Sequence, residues 1–334
     1  MLKWLKENGC PTGTAMFNGA AKEGQLEVLK WARGNGYPIV NELTMSSAGY
    51  GGKLEVMMWL RELGCHWTPT ICSSAALLGR FDILKWAREN GCMWDYFTTY
   101  NAANGQTDIL KWAVSNGCPF ASNACKVAAG SGHIESLKFL QENGSSLNAQ
   151  TSSTLARHGQ LEALKWAKEK GCDLDESVCA HAAAGGHLEI LKWLREQQCP
   201  WDSKTCNQAA RHGHIEVLKW AKENGCQWDA LTGVEAAEAG KIFILKWLKE
   251  MNYPWHEEVC AAAARGGHLR VLKWLRAIGC PWNATTCDVA ASNCNLDMLK
   301  WAITNGCPTS HTIADALSGQ PEMLAWVSQY RFGN

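Results

Sequence analysis

The phrase LKWAKENGCQWD at residues 218–229 returns as LKWARENGCMWD at 84–95 and, shortened, as LKWAITNGC at 299–307. Its Trp marks a series: Trp4, Trp31, Trp59, Trp86, Trp112, Phe139, Trp166, Trp193, Trp220, Trp247, Trp274, Trp301 and Trp326. The intervals are 27, 28, 27 and 26, then seven of 27, then 25. A unit this short cannot bury its own apolar face, so the period demands a stack in which each unit covers the next. No linker or low-complexity stretch interrupts the series, and residues 1–334 are expected to form a single array.

Each period holds two helical segments. In the second, at 214–225, Ile215, Leu218, Trp220 and Ala221 fall on one face at amphipathic spacing. Acidic residues such as Glu216 and Asp82 open these segments, where the helix dipole favours negative charge. Gly closes ten of twelve as a left-handed cap, Gln198 and Asn252 being the exceptions. The first segment, at 202–213, begins at the N-cap residue Asp202 and carries the small pair Ala209 and Ala210. Equivalent caps are Asp95, Asn148, Asp175, Asp229 and Asn283. Short connections make the two segments antiparallel.

The predicted fold is therefore all-α, a right-stacked helix-turn-helix solenoid of about twelve helix pairs. An orphan half repeat at 1–10 precedes it, and a shortened polar cap at 312–334 closes it.

Thirty-two basic residues balance 32 acidic ones, so no net field draws the chain to nucleic acid or to an anionic membrane. The LKWLKENGC that follows Met1 lacks the apolar core of a signal peptide, and no apolar run has membrane-spanning length. An intracellular, cytoplasmic protein is expected, a monomer or a subunit of a larger complex, with its 16 cysteines reduced.

At AARHGHIEVLKWAKENGC, residues 209–226, the pattern resembles the ankyrin repeat, with Trp220 at a Leu position, Cys226 at the small residue after Gly, and Trp228 at the apolar residue beyond it. The unit is roughly six residues shorter than the usual repeat of about 33. Only fragments of the family's TPLH opening survive, as Thr205 with Cys206. The protruding hairpin fingers are thus expected to be tight turns. The resemblance implies a non-enzymatic scaffold that binds a protein partner on the concave surface of the first helices and turns.

Two other readings come from the residues. Nine cysteines follow the cap position, among them Cys65, Cys199 and Cys226, and six more sit seven residues later, as Cys72 and Cys206 do. A thiol-based metal-binding or redox protein is the first alternative, but equivalent thiols in neighbouring repeats should lie a helix layer apart and no C-x-x-C occurs. Packing is the expected role, with no metal and no cofactor. A substrate adaptor of a degradation or host-control complex is the second, though no recruiting segment is visible. No nucleophile or phosphate-loop signature supports an enzyme. The second Trp column (Trp67, Trp94, Trp201, Trp228, Trp255, Trp282) resembles a base-stacking ladder but lacks a basic groove beside it, so packing is expected there too.

Partner contacts are sought where repeats disagree. Near the N-terminal third, Met45, Tyr50, Leu77, Leu78, Tyr96, Phe97 and Tyr100 place large apolar groups where other units carry small or polar ones. A second departure is a broken basic line, Arg157, His158, His181, Lys204, Arg211, His212 and Arg265, whose natural ligand is an acidic protein segment.

Overall fold

The computed structural model describes residues 14–37, 41–121 and 123–310, together with 313, 322 and 324–327. The orphan half repeat at 1–10 lies outside the described residues, as does nearly all of 312–334. Two compact units divide the chain, Met1–Leu147 and Asn148–Asn334.

Among the described residues the first unit holds five helix pairs: Thr14–Glu23 with Leu26–Gly34, Glu42–Gly51 with Leu54–Glu62, Thr70–Leu77 with Phe81–Glu89, Tyr96–Ala102 with Thr107–Ser115, and Ala124–Gly130 with Ile134–Glu142. Six pairs are described in the second unit: Ala149–Arg157 with Leu161–Glu169, Glu176–Gly185 with Leu188–Glu196, Ser203–His212 with Ile215–Glu223, Ala230–Glu238 with Ile242–Glu250, Glu257–Arg265 with Leu269–Ala277, and Ala284–Ser292 with Leu296–Thr304. No strand occurs among the described residues, so tight turns join the helices. No described helix is long and apolar enough to cross a membrane.

The helix ends follow from local chemistry. All six expected N-caps accept a backbone N–H through their side chains, Asp202 from Lys204 and Asn148 from Thr151 among them. Each such bond contributes about 1 kcal/mol. At the other end, the Asn224 side-chain amide donates to the Trp220 carbonyl at 2.8 Å, and Asn90 does the same to Trp86. Gln198, Asn252 and Cys294 adopt φ of 60°, 53° and 57°, the left-handed turn that Gly supplies elsewhere. The turn is thus imposed by the repeat, and Gly lowers its cost.

Within each unit, successive first helices pack side by side, and each also packs on its own second helix. The Ala pairs permit this: Ala209 and Ala210 are fully buried. On the second helix Val217, Leu218 and Ala221 are buried, whereas Ile215 and Trp220 are only half-buried. The apolar face is therefore rotated from the one expected, toward Val217. Truncating a residue such as Leu218 to Ala costs about 2–5 kcal/mol.

In several described repeats a side-chain pair twenty residues apart ties the first helix to the turn that follows the second. Cys179 donates to the Cys199 sulfur at 3.5 Å, Ser152 meets Cys172 at 2.8 Å, and Cys125 donates to Ser145 at 3.3 Å. Phe17 packs on Tyr37 with ring centroids 5.3 Å apart. Spacing between repeats keeps equivalent thiols apart, but within a repeat they meet, which layer spacing alone does not reveal. The cap-following thiol also reaches the N-cap carbonyl of its own first helix: Cys226 to Asp202 at 3.3 Å, Cys172 to Asn148 at 3.2 Å, Cys65 to Asn41 at 3.2 Å.

The second Trp column joins one repeat to the next. Trp201 stands edge-on to Trp220 at 5.9 Å, Trp228 to Trp247 at 5.7 Å, and Trp67 to Trp86 at 5.3 Å. The Arg195 guanidinium lies 4.4 Å over the Trp201 ring while donating to the Cys199 carbonyl. Edge contacts and overlying cations of this kind are packing devices. Outward on the second helices, Lys follows Glu by three residues, as in Glu162 with Lys165 at 2.8 Å and Glu189 with Lys192 at 2.8 Å. Such exposed pairs contribute little.

Candidate functional site

Each first helix shows one variable face. In Ser203–His212 it is formed by Lys204, Gln208 and Arg211, spaced i, i+4 and i+7. The same register gives Leu43, Ser47 and Tyr50 in one repeat, Ser177, His181 and Ala184 in another, and Leu231, Glu235 and Glu238 in a third.

In the first unit this face is apolar. Tyr50, Leu77, Tyr96 and Phe97 are 44–53% exposed, while Leu78 and Tyr100 are half-buried. Tyr96 and Phe97 lie 4.3 Å apart by ring centroid, and Phe97 meets Tyr100 edge-on at 6.4 Å. The Asn101 amide donates to the Ser73 carbonyl at 2.9 Å, tying this helix to the one that carries Leu77. The Lys22 ammonium sits 5.3 Å over the Tyr50 ring. Met45 is a correction: it is fully buried and takes no part in any surface. It occupies the inward position held by Cys179 and Cys206 in other repeats, where a large side chain fills the core. Leu43 and Met93 are also exposed and are among the residues that escaped the sequence reading. Both were visible as outliers in their columns, Leu43 at the register of Lys204 and Met93 where other turns carry His66, Pro200 or Gln227.

In the second unit the face is charged, and the expected basic line breaks into parts. Arg157, His181 and Lys204 come together around a groove of about 250 Å³, lined also by Ser177, Ala180, Ala184 and Gln208. The His181 Nδ1–H donates to the Ser177 carbonyl at 2.7 Å. Lys204 lies 3.5 Å from the Asp202 carboxylate. Arg211 is paired instead with Glu235, and Arg265 with Glu258 at 2.7 Å and Glu238 at 3.2 Å. His158 and His212 donate to the carbonyls of Thr154 and Gln208, at 2.9 and 3.1 Å, and do not line the groove. Whole-chain neutrality hides this local imbalance, so the charge argument against a nucleic-acid ligand does not hold at the groove.

The thiols have a different character. Burial pushes Cys118 up to about 11, against hydrogen bonds from Thr98 and Thr99 that lower it. Burial likewise raises Cys65 and Cys172. Cys92, Cys199, Cys226, Cys280 and Cys307 shift the other way, each lowered by the hydrogen bond from the thiol of its pair. Metal ligation and redox exchange need thiolates, and Cys65, Cys118 and Cys172 hold their protons at neutral pH. Among the described residues no group of three or more His, Cys, Asp or Glu is placed to hold a metal ion.

No family model matches the chain, and no curated protein does. Solved structures similar to it include the human ASB11 ankyrin repeat domain, at 19% identity and a TM-score of 0.34, over 55% of this chain and 84% of that one. Another is the pentatricopeptide repeat protein PPR10 in complex with an 18-nt psaJ RNA element, at 16% identity and a TM-score of 0.39, over 93% of this chain and 53% of that one. Likeness at this level says nothing of function, which rests on the chain's own surface.

Proposed function

We propose that the chain is a scaffold that binds a protein partner on the first-helix face of residues 42–102. The carrying observation is the exposure of Leu77, Tyr96 and Phe97 on adjacent first helices, with Tyr50 and Leu43 on the helix before them. Most second helices of the same unit carry Lys and an acidic residue at the corresponding outward positions, as in Lys30 with Glu27, Met58 being the exception. Aromatic side chains anchor protein interfaces because they bury much area at small entropic cost, and clusters of this size on a soluble surface mark contact sites. An apolar helix or extended segment suits the face. The partner covers Leu77 and Phe97 and leaves the packing of the repeat untouched.

Affinity capture from the native cell lysate tests this, comparing the full chain with Leu77→Asp combined with Phe97→Ala. Both positions are exposed, so the variant should melt within a few degrees of the parent. A protein retained by the parent and lost by the variant supports the reading. The same set of proteins retained by both excludes this face.

A further inference from the structure

We propose that the groove over Ala180 and Ala184 is an anion site that receives a carboxylate side chain of an acidic peptide. Arg157 and Lys204 reach it from the first helices on either side, and His181 rises from the helix between them. The three helices are held close, the last two by the His214 Nε2–H, which donates to the Ala184 carbonyl at 3.1 Å. The His187 Nε2–H donates to the Arg157 carbonyl at 3.0 Å, and a β-carbon on Gly185 would collide with that same oxygen.

The array itself shows what the site takes. Arg211 is met by Glu235, 24 residues later on the next first helix. Arg157 holds the same register as Arg211, and the residue 24 later is His181. Arg265 gains a further carboxylate from Glu258, seven residues earlier on its own helix, where Arg157 has Gln150. Both internal carboxylates are thus replaced by groups without negative charge. Among the described residues the Arg157 guanidinium makes no ion pair. A carboxylate supplied from outside would complete at Arg157 the pair that the chain builds for itself at Arg211. Guanidinium binds carboxylate in a bidentate fork, and Lys204, whose ammonium is shared with Asp202 at 3.5 Å, lines the far wall. With Nδ1–H committed to Ser177, the His181 Nε2 can donate to the ligand in its imidazolium form.

Size and surroundings favour a peptide over a polynucleotide or a small metabolite. A volume of about 250 Å³ is below the range of about 300–1,000 Å³ typical of whole small-molecule sites. Arg211 and Arg265 are neutralised by glutamates, so the positive charge does not continue into a track for a phosphate backbone. No Trp, Tyr or Phe lines the groove for base stacking, and His181 is the one ring among its lining residues.

The test uses purified full chain and three fluorescein-labelled probes: a Glu-rich octapeptide, its Gln counterpart, and a single-stranded RNA octamer, read by fluorescence polarisation. Variants are Arg157→Glu with Lys204→Glu, the milder Arg157→Gln with Lys204→Gln, and a control of equal charge change on exposed second-helix positions, Lys246→Glu with Arg270→Glu. The Glu peptide should bind about tenfold or more tightly than the Gln peptide, and both groove variants should lose about that factor. The control should keep its affinity within about twofold. The proposal is overturned by absent binding of the Glu peptide, by equal binding of the Gln peptide, by equal loss in the control, or by tighter RNA binding with the same residue dependence. Comparing the two peptides on the parent chain stays decisive even for a variant that unfolds. This site is separate from the aromatic face of residues 42–102, and either can fail alone.

Discussion

The Tyr253 hydroxyl accepts a hydrogen bond from the Gly233 amide at 3.1 Å and donates to the Ala230 carbonyl at 2.7 Å, while its ring lies 2.7 Å from where a β-carbon on residue 233 would sit. In other repeats these two positions hold Cys179 with Cys199, Ser152 with Cys172, and Cys125 with Ser145. The space between these two positions is filled differently from repeat to repeat, and Phe17 with Tyr37 is large at both. At this repeat the large Tyr253 is matched by the smallest possible residue, Gly233.

This predicts strong coupling between the two sites. Tyr253→Cys alone leaves a cavity and should cost about 3 kcal/mol. Gly233→Cys alone overpacks the site and should cost about 1–3 kcal/mol. The double variant recreates the Cys pair found elsewhere and should recover most of the loss, which a double-mutant cycle in urea would read as a coupling of about 2 kcal/mol. Additive losses would show that the pair is not a shared volume.

The buried Cys118 thiol predicts an alkaline weakness. Below pH 9.0, the ordinary thiol value, Cys118 is protonated whether the chain is folded or unfolded, and its contribution is complete. Between 9.0 and about 11 the unfolded chain releases the proton and the folded chain keeps it, so stability falls as pH rises. Under reducing conditions the urea midpoint should hold from pH 7 to 8 and drop above 9, less steeply in Cys118→Ala. A midpoint that falls equally in both would assign the loss to other groups.

At Gln198 the left-handed turn is made by a residue ill suited to it. Gln198→Gly should raise stability by about 1 kcal/mol, the order of the left-handed penalty. Asn252→Gly should gain less, since Asn tolerates that conformation. Thermal unfolding of the two variants beside the parent checks the order.

Thr205 presents a buried hydroxyl with no hydrogen-bond partner among the described residues, in a column where Val178 and Val259 stand in other repeats. Thr205→Val removes the unpaired oxygen at nearly constant shape and should stabilise the chain by about 1 kcal/mol. Loss of stability on this change would point to a partner for the hydroxyl.

What was legible in the sequence was what local chemistry decides. Caps at Asp202 and Asn148 and turns at the NG steps depend on neighbours a few residues away, and a single repeat displays them. The contacts of Cys226 with Asp202, or of Tyr253 with Gly233, span some twenty residues and appear only when the columns are read in pairs. Met45 was misread because its size was weighed without its register, which it shares with the buried Cys206. The groove was half legible: Arg157, His181 and Lys204 were visible as a basic line, but the glutamates that remove Arg211 and Arg265 from it lie on other helices. Side-chain type is local, whereas charge pairing belongs to the packed helices.

The most direct test of the central claim, that the first-helix face of residues 42–102 carries binding, is hydrogen–deuterium exchange of the full chain with and without the protein it captures. Protection is expected in Glu42–Gly51, Thr70–Leu77 and Tyr96–Ala102, with the second helices Leu54–Glu62 and Phe81–Glu89 unchanged. Protection confined to the second helices, or absent from both sets, would contradict it.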